Sequence, residues 1–337
     1  MPAFTRALAV AGLTCSVLAL AACGGGDSTS GQSASPTAAP SSAAASPSAS
    51  ASPSSTVKAS DNLSAIKVSG DYGKAPKVSF KAPFAIDKTR TEVLKPSNGP
   101  VATASSMVSV NYYGVNGRTG KVFDQSYERG APVAFSLAQV VPGFQKGLNG
   151  QHQGSRVLIA MPGSDGYDSS GGNAQAGINV GDTLIFVVDI EQVQLSGPSG
   201  SAVKPKDGLP TVTDTKGVPT VTVPKTAAPK TLQVQPLIKG SGPKVGETDA
   251  VTINYLWQTW DGRQLETTYG QQPASLDMSK ALSGLKKGLV GQTVGSRVLV
   301  VVPPGSDGYP DGNAKPKVEK TDTLVFVVDI LFSQPAQ

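Results

Sequence analysis

The chain has 337 residues, with 29 Lys and Arg against 24 Asp and Glu, one His, and a formal net charge of +5. That length accommodates more than one domain of ordinary size, and the positive charge is scattered without a basic stripe or interleaved aromatics, which argues against a nucleic-acid partner. The two cysteines, Cys15 and Cys23, both fall near the start, so the remainder has no thiol for a disulfide, a Cys-based zinc site or thiol catalysis.

At the N-terminus, Arg6 precedes an apolar run over residues 7–22 that ends in LAAC. This is the pattern of a secretory signal, over residues 1–22, with an apolar stretch too short for a stable membrane span. LAAC resembles the bacterial lipobox, which implies cleavage before Cys23, acylation of Cys23 and attachment to the outer face of a cell membrane. Several acyl chains on one residue would anchor durably, whereas a single chain is marginal. Residues 23–60 are almost entirely Ser, Ala, Gly, Pro and Thr, a composition that cannot bury enough apolar surface to offset chain entropy. They are expected to form a disordered tether, spanning roughly 35 Å as a flexible coil.

Beyond the tether the chain repeats itself. GSRVLIAMPGSDGY and DTLIFVVDI, within 154–190, recur as GSRVLVVVPPGSDGY and DTLVFVVDI within 295–330; VSVNYYG at 108–114 answers VTINYLW at 251–257, and KVSF at 77–80 answers TVTV at 220–223. A spacing of about 140 residues means a duplicated domain, because solenoid repeats run roughly 20 to 50 residues. The predicted domains are 61–195 and 205–333, joined by a linker over 196–204 and followed by a short tail, 334–337. Segment 196–230, rich in Pro, Gly, Thr and Lys, is read as part linker and part edge strand of the second domain.

Inside each copy the dominant signal has period two. Val108, Val110 and Tyr112 share one face of a predicted strand and Ser109, Asn111 and Tyr113 the other, while RVLIAM at 156–161 and TLIFVVDI at 183–190 are further apolar strands. One helix is predicted within VVPGFQKGLNG at 140–150, where Phe144 and Leu148 stand four apart and Pro142 suits a first-turn position. So short a helix is marginal alone and must lie against the sheet.

The order VNYYG, GKVFDQSYERG, VVPGFQKGLNGQ, RVLIAMPGSDGY and GDTLIFVVDI resembles the FKBP family of peptidyl-prolyl cis-trans isomerases, the macrolide-binding immunophilins, from about residues 91 and 232 to the end of each copy. The resemblance implies an α+β fold: two tandem FKBP-like domains, each a curved antiparallel β-sheet packed on a short helix. It also implies an enzyme without a cofactor. Carried over to this sequence, Tyr112, Phe123, Val140, Val141, Phe144, Ile178 and Phe186 would wall a proline pocket with Phe144 as its floor, Asp124 and Tyr167 would be the polar groups near the substrate carbonyl, and Arg129 would pair with Asp124. Val133 stands where an aromatic usually lines the pocket, and DSSGGNAQAG after Tyr167 replaces the common loop.

The chemistry suits such a site. A prolyl peptide bond isomerises over a barrier of about 18 to 20 kcal/mol because its partial double bond must twist, and no proton transfer or covalent step is required. The site must bind the twisted amide better than the planar one, and roughly 5 to 6 kcal/mol of such preference brings the event to milliseconds. In the second copy Leu265 and Glu266 take the places of Phe123 and Asp124, Leu285 replaces the floor aromatic and no arginine follows, although Tyr255, Tyr309, Val318 and Phe326 remain. That pocket is expected to be opened and the domain weakly active or inactive, serving as a peptide-binding or spacer module.

Other signals fail. His152, in GQHQG, lacks metal-ligand spacing and is expected in a solvated turn; GSDGYDSSGGN lacks the alternating ligands of a calcium loop; and Ser164 is not in a hydrolase setting. The leading expectation is therefore a membrane-tethered prolyl isomerase whose partners are proline-containing exported polypeptides and macrolide ligands. The alternatives are a non-catalytic FKBP-fold binding module or holding chaperone, and a tandem all-β adhesive surface protein.

Overall fold

The computed structural model describes residues 57–335, so the signal segment, Cys23 and nearly all of the tether lie outside the described residues. The period-two runs become strands. In the first domain these are β1 (Lys67–Ser69), β2 (Lys77–Ser79), β3 (Arg90–Lys95), β4 (Met107–Asn116), β5 (Val122–Gln125), β6 (Val133–Ser136), β7 (Arg156–Met161) and β8 (Leu184–Val193), with helix α1 (Pro142–Leu148) between β6 and β7. A six-stranded antiparallel sheet runs in the order β3-β7-β8-β4-β5, with β6 also paired to β4. The α+β expectation holds in a β-dominated form, since helix is confined to one α-helix of seven residues per domain and a few single 3-10 turns.

Every residue of β7 is buried, and all but one of β8. Such continuous apolar runs need cover on both faces of the sheet. On one face Val157, Ile159, Met161, Phe186 and Val188 pack with Phe144 and Leu148 of α1. On the other, Leu158, Ala160, Ile185 and Val187 lie under Leu63, Ile66, Phe84 and Ile86, beside Val68 and Val78 of the β1–β2 hairpin. The hairpin is held by a buried ion pair. Arg156 reaches Asp189 at 2.6 and 2.7 Å and also donates to the carbonyls of Gly70 and Lys74, while the Gly73 amide donates to Asp189.

Helix α1 sits unusually close to β7. A Cβ on Gly143 would meet Met161 at 2.4 Å and one on Gly147 would meet Ile159 at 2.6 Å, so these helix positions require glycine despite its entropic cost. The close approach sets the depth of Phe144 against the sheet.

The second domain repeats the plan with β9 (Gly200–Ala202), β10 (Thr211–Thr215), β11 (Val218–Thr222), β12 (Gln233–Gly240), β13 (Ala250–Thr259), β14 (Gln264–Thr267), β15 (Ala274–Asp277), α2 (Ser283–Leu289), β16 (Arg297–Val302), β17 (Asn313–Ala314), β18 (Lys317–Val318) and β19 (Leu324–Gln334). Its seven-stranded sheet has the order β14-β13-β19-β16-β12-β9, with β15 paired to β13. Arg297 and Asp329 reproduce the buried pair, and Asp214 of the β10–β11 hairpin adds a second carboxylate at 2.6 Å. The expected linker 196–204 is different in the structure: it supplies β9, an edge strand of the second sheet, and Leu195 packs on the second core with its amide bonded to the Leu331 carbonyl. The Pro and Gly content that suggested a linker does not prevent a three-residue edge strand from pairing on one side. Among the described residues no helix is long and apolar enough to cross a membrane.

Candidate functional site

In the first domain β4, β5, α1, β8 and the loops after β6 and β7 bring the predicted residues together. Phe144, Ile178 and Phe186 are buried in one cluster with Tyr112, Phe123, Val140, Val141 and Tyr167 packed against it half-buried. The aromatics meet edge to face: Phe144 and Phe186 are 4.6 Å apart between ring centroids, Phe123 and Phe186 5.4 Å, and Tyr112 lies 6.4 Å from Phe144. Such contacts stiffen the wall beyond simple area burial. A cavity of about 260 Å³ opens here, lined by Phe123, Asp124, Tyr167, Ile178 and, from the loop after Tyr167, Asn173, Gln175 and Ala176.

The polar side of the site is a closed network. The Tyr112 hydroxyl donates to Asp124 Oδ2 at 2.5 Å, Arg129 donates from Nη1 to the Tyr112 oxygen at 3.1 Å and from Nη2 to Asp124 Oδ1, and the Gln125 amide donates to Asp124 Oδ1 at 2.9 Å. The Arg129 guanidinium also lies over the Tyr112 ring at 5.8 Å. Burial, followed by the bond to Asp124, pushes the Tyr112 phenol up to about 12. Tyr167 is different. Burial, then the charge of Asp124, raises its phenol, and among the described residues its hydroxyl makes no hydrogen bond, so it stays protonated and able to donate to a ligand.

Two features escaped the sequence reading. Tyr112, taken there only as a wall, holds Asp124 through its hydroxyl, an adjacency created by the pairing of β4 with β5. Phe135, two residues after Val133, packs on Phe144 with centroids 5.8 Å apart; the alternation of Val133 and Phe135 in a period-two strand was the available signal. His152 is half-buried and not solvated, with Nδ1 donating to the Gly99 carbonyl at 2.8 Å, because 152 pairs with Val101 in an isolated bridge that a turn-like sequence does not announce. Asp165, in the loop that superficially suggested calcium, is bound to Lys146 and Thr89.

The second domain also differs from expectation. Gly114 of β4 faces Phe186 and Asp124 across the sheet, and its Cβ, if present, would meet Phe123 at 2.7 Å. The corresponding Trp257 of β13 faces Phe326 and Glu266 in the same register. Its indole stacks on Phe326 at 5.3 Å and on Tyr309 at 6.1 Å, filling the space that Phe123 fills in the first domain and that Leu265 is too small to fill. The loss of one aromatic is offset by the gain of another on the neighbouring strand. The pocket is therefore not opened: a cavity of about 260 Å³ remains, lined by Tyr255, Trp257, Leu282, Leu285, Tyr309 and Phe326 with Glu266 at its edge. A larger cavity of about 730 Å³, bounded by residues such as Met107, Leu195, Pro273 and Phe332, has no titratable side chain in its lining.

Comparison with known proteins agrees with this arrangement. Residues 99–191 and 242–331 match the family described as FKBP-type peptidyl-prolyl cis-trans isomerase. The chain is 41% identical over 98 residues, 28% of its own length and 78% of the relative's, to the FK506-binding protein of Streptomyces anulatus. It is 34% identical over 103 residues, 31% of its length, to the FKBP-type peptidyl-prolyl cis-trans isomerase FkpA of Escherichia coli K12, of which it spans 37%. The crystal structure of FkpA from Escherichia coli overlaps 31% of this chain and 47% of that one at 33% identity, with a TM-score of 0.29 that adds nothing to the sequence match. With more than half of its residues inside the two matched segments, the chain belongs to the FKBP-type peptidyl-prolyl cis-trans isomerase family.

Proposed function

We propose that the chain isomerises prolyl bonds in exported polypeptides at the outer face of a bacterial membrane, tethered through acylated Cys23, with the activity carried mainly by residues 61–195. The observation that supports this most directly is the Tyr112–Asp124–Arg129 network set beside a cavity lined by Phe123, Asp124, Tyr167 and Ile178 and next to the aromatic cluster of Phe144 and Phe186. The apolar walls seat the proline ring and strip water from the preceding carbonyl, whose hydration accompanies the planar, resonance-stabilised amide. As the amide twists, the carbonyl loses conjugation, and a donor such as Tyr167 holds it where solvent is excluded. Asp124 has its charge met by Arg129 and Tyr112, so it acts as a fixed polar wall and not as a base. The preference for the twisted form then comes from shape and desolvation, with hydrogen bonding adding a smaller part. The same cavity is also the proposed site for macrolide ligands.

The test is a protease-coupled assay on a proline-containing peptide with the variants Tyr167→Phe and Asp124→Asn. Each keeps side-chain shape, and loss of one hydrogen bond worth about 1 to 2 kcal/mol should slow turnover by roughly 5- to 30-fold. A folded double variant as fast as the unaltered chain would remove the polar half of this mechanism. A folded, unaltered chain that binds the peptide without turning it over would make it a holding module.

A further inference from the structure

The second cavity differs from the first in two polar respects. Asp124 in the first domain is neutralised by Arg129, whereas among the described residues no Lys or Arg forms an ion pair with Glu266. Lys280, which also lines the second cavity, is engaged with Asp277 at 2.9 Å. Glu266 therefore presents an exposed carboxylate at the rim, and the Tyr255 phenol that lines the same cavity is pushed up to about 12, first by burial and then by that carboxylate. The second difference is at the wall. Trp257 is 6% exposed and its Nε1 has no hydrogen-bond acceptor. A buried N–H left without an acceptor is costly.

We infer that the second cavity is a peptide-binding site in its own right, with a ligand class distinct from that of the first: a prolyl or aliphatic residue, seated among Trp257, Tyr309 and Leu285, whose neighbour along the peptide is Lys or Arg and meets Glu266. The apolar part follows from a lining of Tyr255, Trp257, Leu282, Leu285, Tyr309 and Phe326. The basic neighbour follows from charge complementarity, since the carboxylate at the rim has no cation of its own. An acidic neighbour would instead face Glu266 without compensation. The first domain, with Asp124 already paired, has no such reason to favour charge. The inference does not depend on turnover in the first domain, and its test reads a different signal.

Both tryptophans of the chain, Trp257 and Trp260, lie in the second domain. Trp260 packs on the opposite face of the sheet, beside Leu299 and Val301, with its Nε1 donating to the Thr226 carbonyl. In the full chain carrying Trp260→Phe, Trp257 is the sole tryptophan and its emission reports the second cavity alone. Titration with acetyl-Ala-Lys-Pro-Ala-amide should give a saturable change, and acetyl-Ala-Glu-Pro-Ala-amide should bind about tenfold more weakly, a difference of about 1.4 kcal/mol. The preference should shrink as salt rises, because the pair is at the surface. Glu266→Gln should reduce it to about twofold or less. If Trp260→Phe does not fold, the unaltered chain serves, with Trp260 as a constant background. Absence of saturation by either peptide at millimolar concentration would overturn the site. Equal affinities, or a preference that survives Glu266→Gln, would overturn the assignment of its ligand.

Discussion

The exchange of Phe123 and Gly114 for Leu265 and Trp257 can be tested as a thermodynamic cycle. Removing the Trp257 indole by Trp257→Gly leaves a cavity beside Phe326 and Tyr309, and truncation of a buried aromatic costs about 3 to 5 kcal/mol, with somewhat more for glycine in a strand. Leu265→Phe alone drives a ring into space the indole already fills, an overpacking cost of about 1 to 3 kcal/mol. Added independently, the two would cost roughly 6 kcal/mol. Made together they recreate the pairing seen at Gly114 and Phe123, where the missing Cβ is what admits the ring at 2.7 Å, so the double variant should lose only about 3 kcal/mol. The coupling of about 3 kcal/mol is the top of the range for residues in contact. Urea unfolding followed by tryptophan emission reads the second domain in all four chains, since Trp260 is present in each. Should Trp257→Gly prove unfolded without urea, recovery of a transition in the double variant still measures the coupling. Additivity within about 0.5 kcal/mol would refute the claim that the indole substitutes for the phenylalanine.

Other consequences are open to measurement. Arg156→Met leaves Asp189 buried without its cation and should cost about 3 to 5 kcal/mol in thermal or urea unfolding, whereas Arg156→Met with Asp189→Asn should recover part of that loss. Burial pushes the Asp182 carboxyl up, but bonds from Arg118 at 2.7 Å and Asn116 at 2.8 Å outweigh it and hold the group below its usual range. A carboxylate depressed in this way contributes stability above its unfolded pKa of about 3.9 and loses it as pH falls through the folded value, so Asp182→Asn should flatten the fall in thermal midpoint below about pH 4. Identical acid limbs would contradict that. Because Tyr112 is pushed to about 12 and Tyr167 is also raised, both phenols stay protonated, and turnover should be flat from about pH 6 to 9; a bell-shaped profile centred near 7 would point to proton transfer instead. Cys23→Ser should move the chain from the membrane fraction to the soluble one, and unchanged membrane association would remove the lipid anchor.

Much of the fold could be read from the chain because its signals are local. The duplication is a statement about sequence alone, and the strands at 107–116, 156–161 and 184–193 and the helix at 142–148 follow from periodicities and a proline that act over a few residues. The aromatic residues named for the first site came instead from the resemblance to the family, whose motifs carry them to positions within those elements, since periodicity alone reads each of them as ordinary core. What sequence could not supply were relations between elements. The Tyr112 bond to Asp124 depends on the register of β4 with β5, and the strand at Gly200–Ala202 exists only because β12 offers it an edge. The second pocket makes the point most plainly. Read position by position, Leu265 and Leu285 are losses, and Trp257 is one aromatic in a strand. Only when β13 lies between β14 and β19 does its indole occupy the space vacated on β14 and stack on Phe326. Side-chain type and strand periodicity are properties of the chain, but the volume a ring fills is shared between neighbouring strands, and close packing is satisfied by either of them.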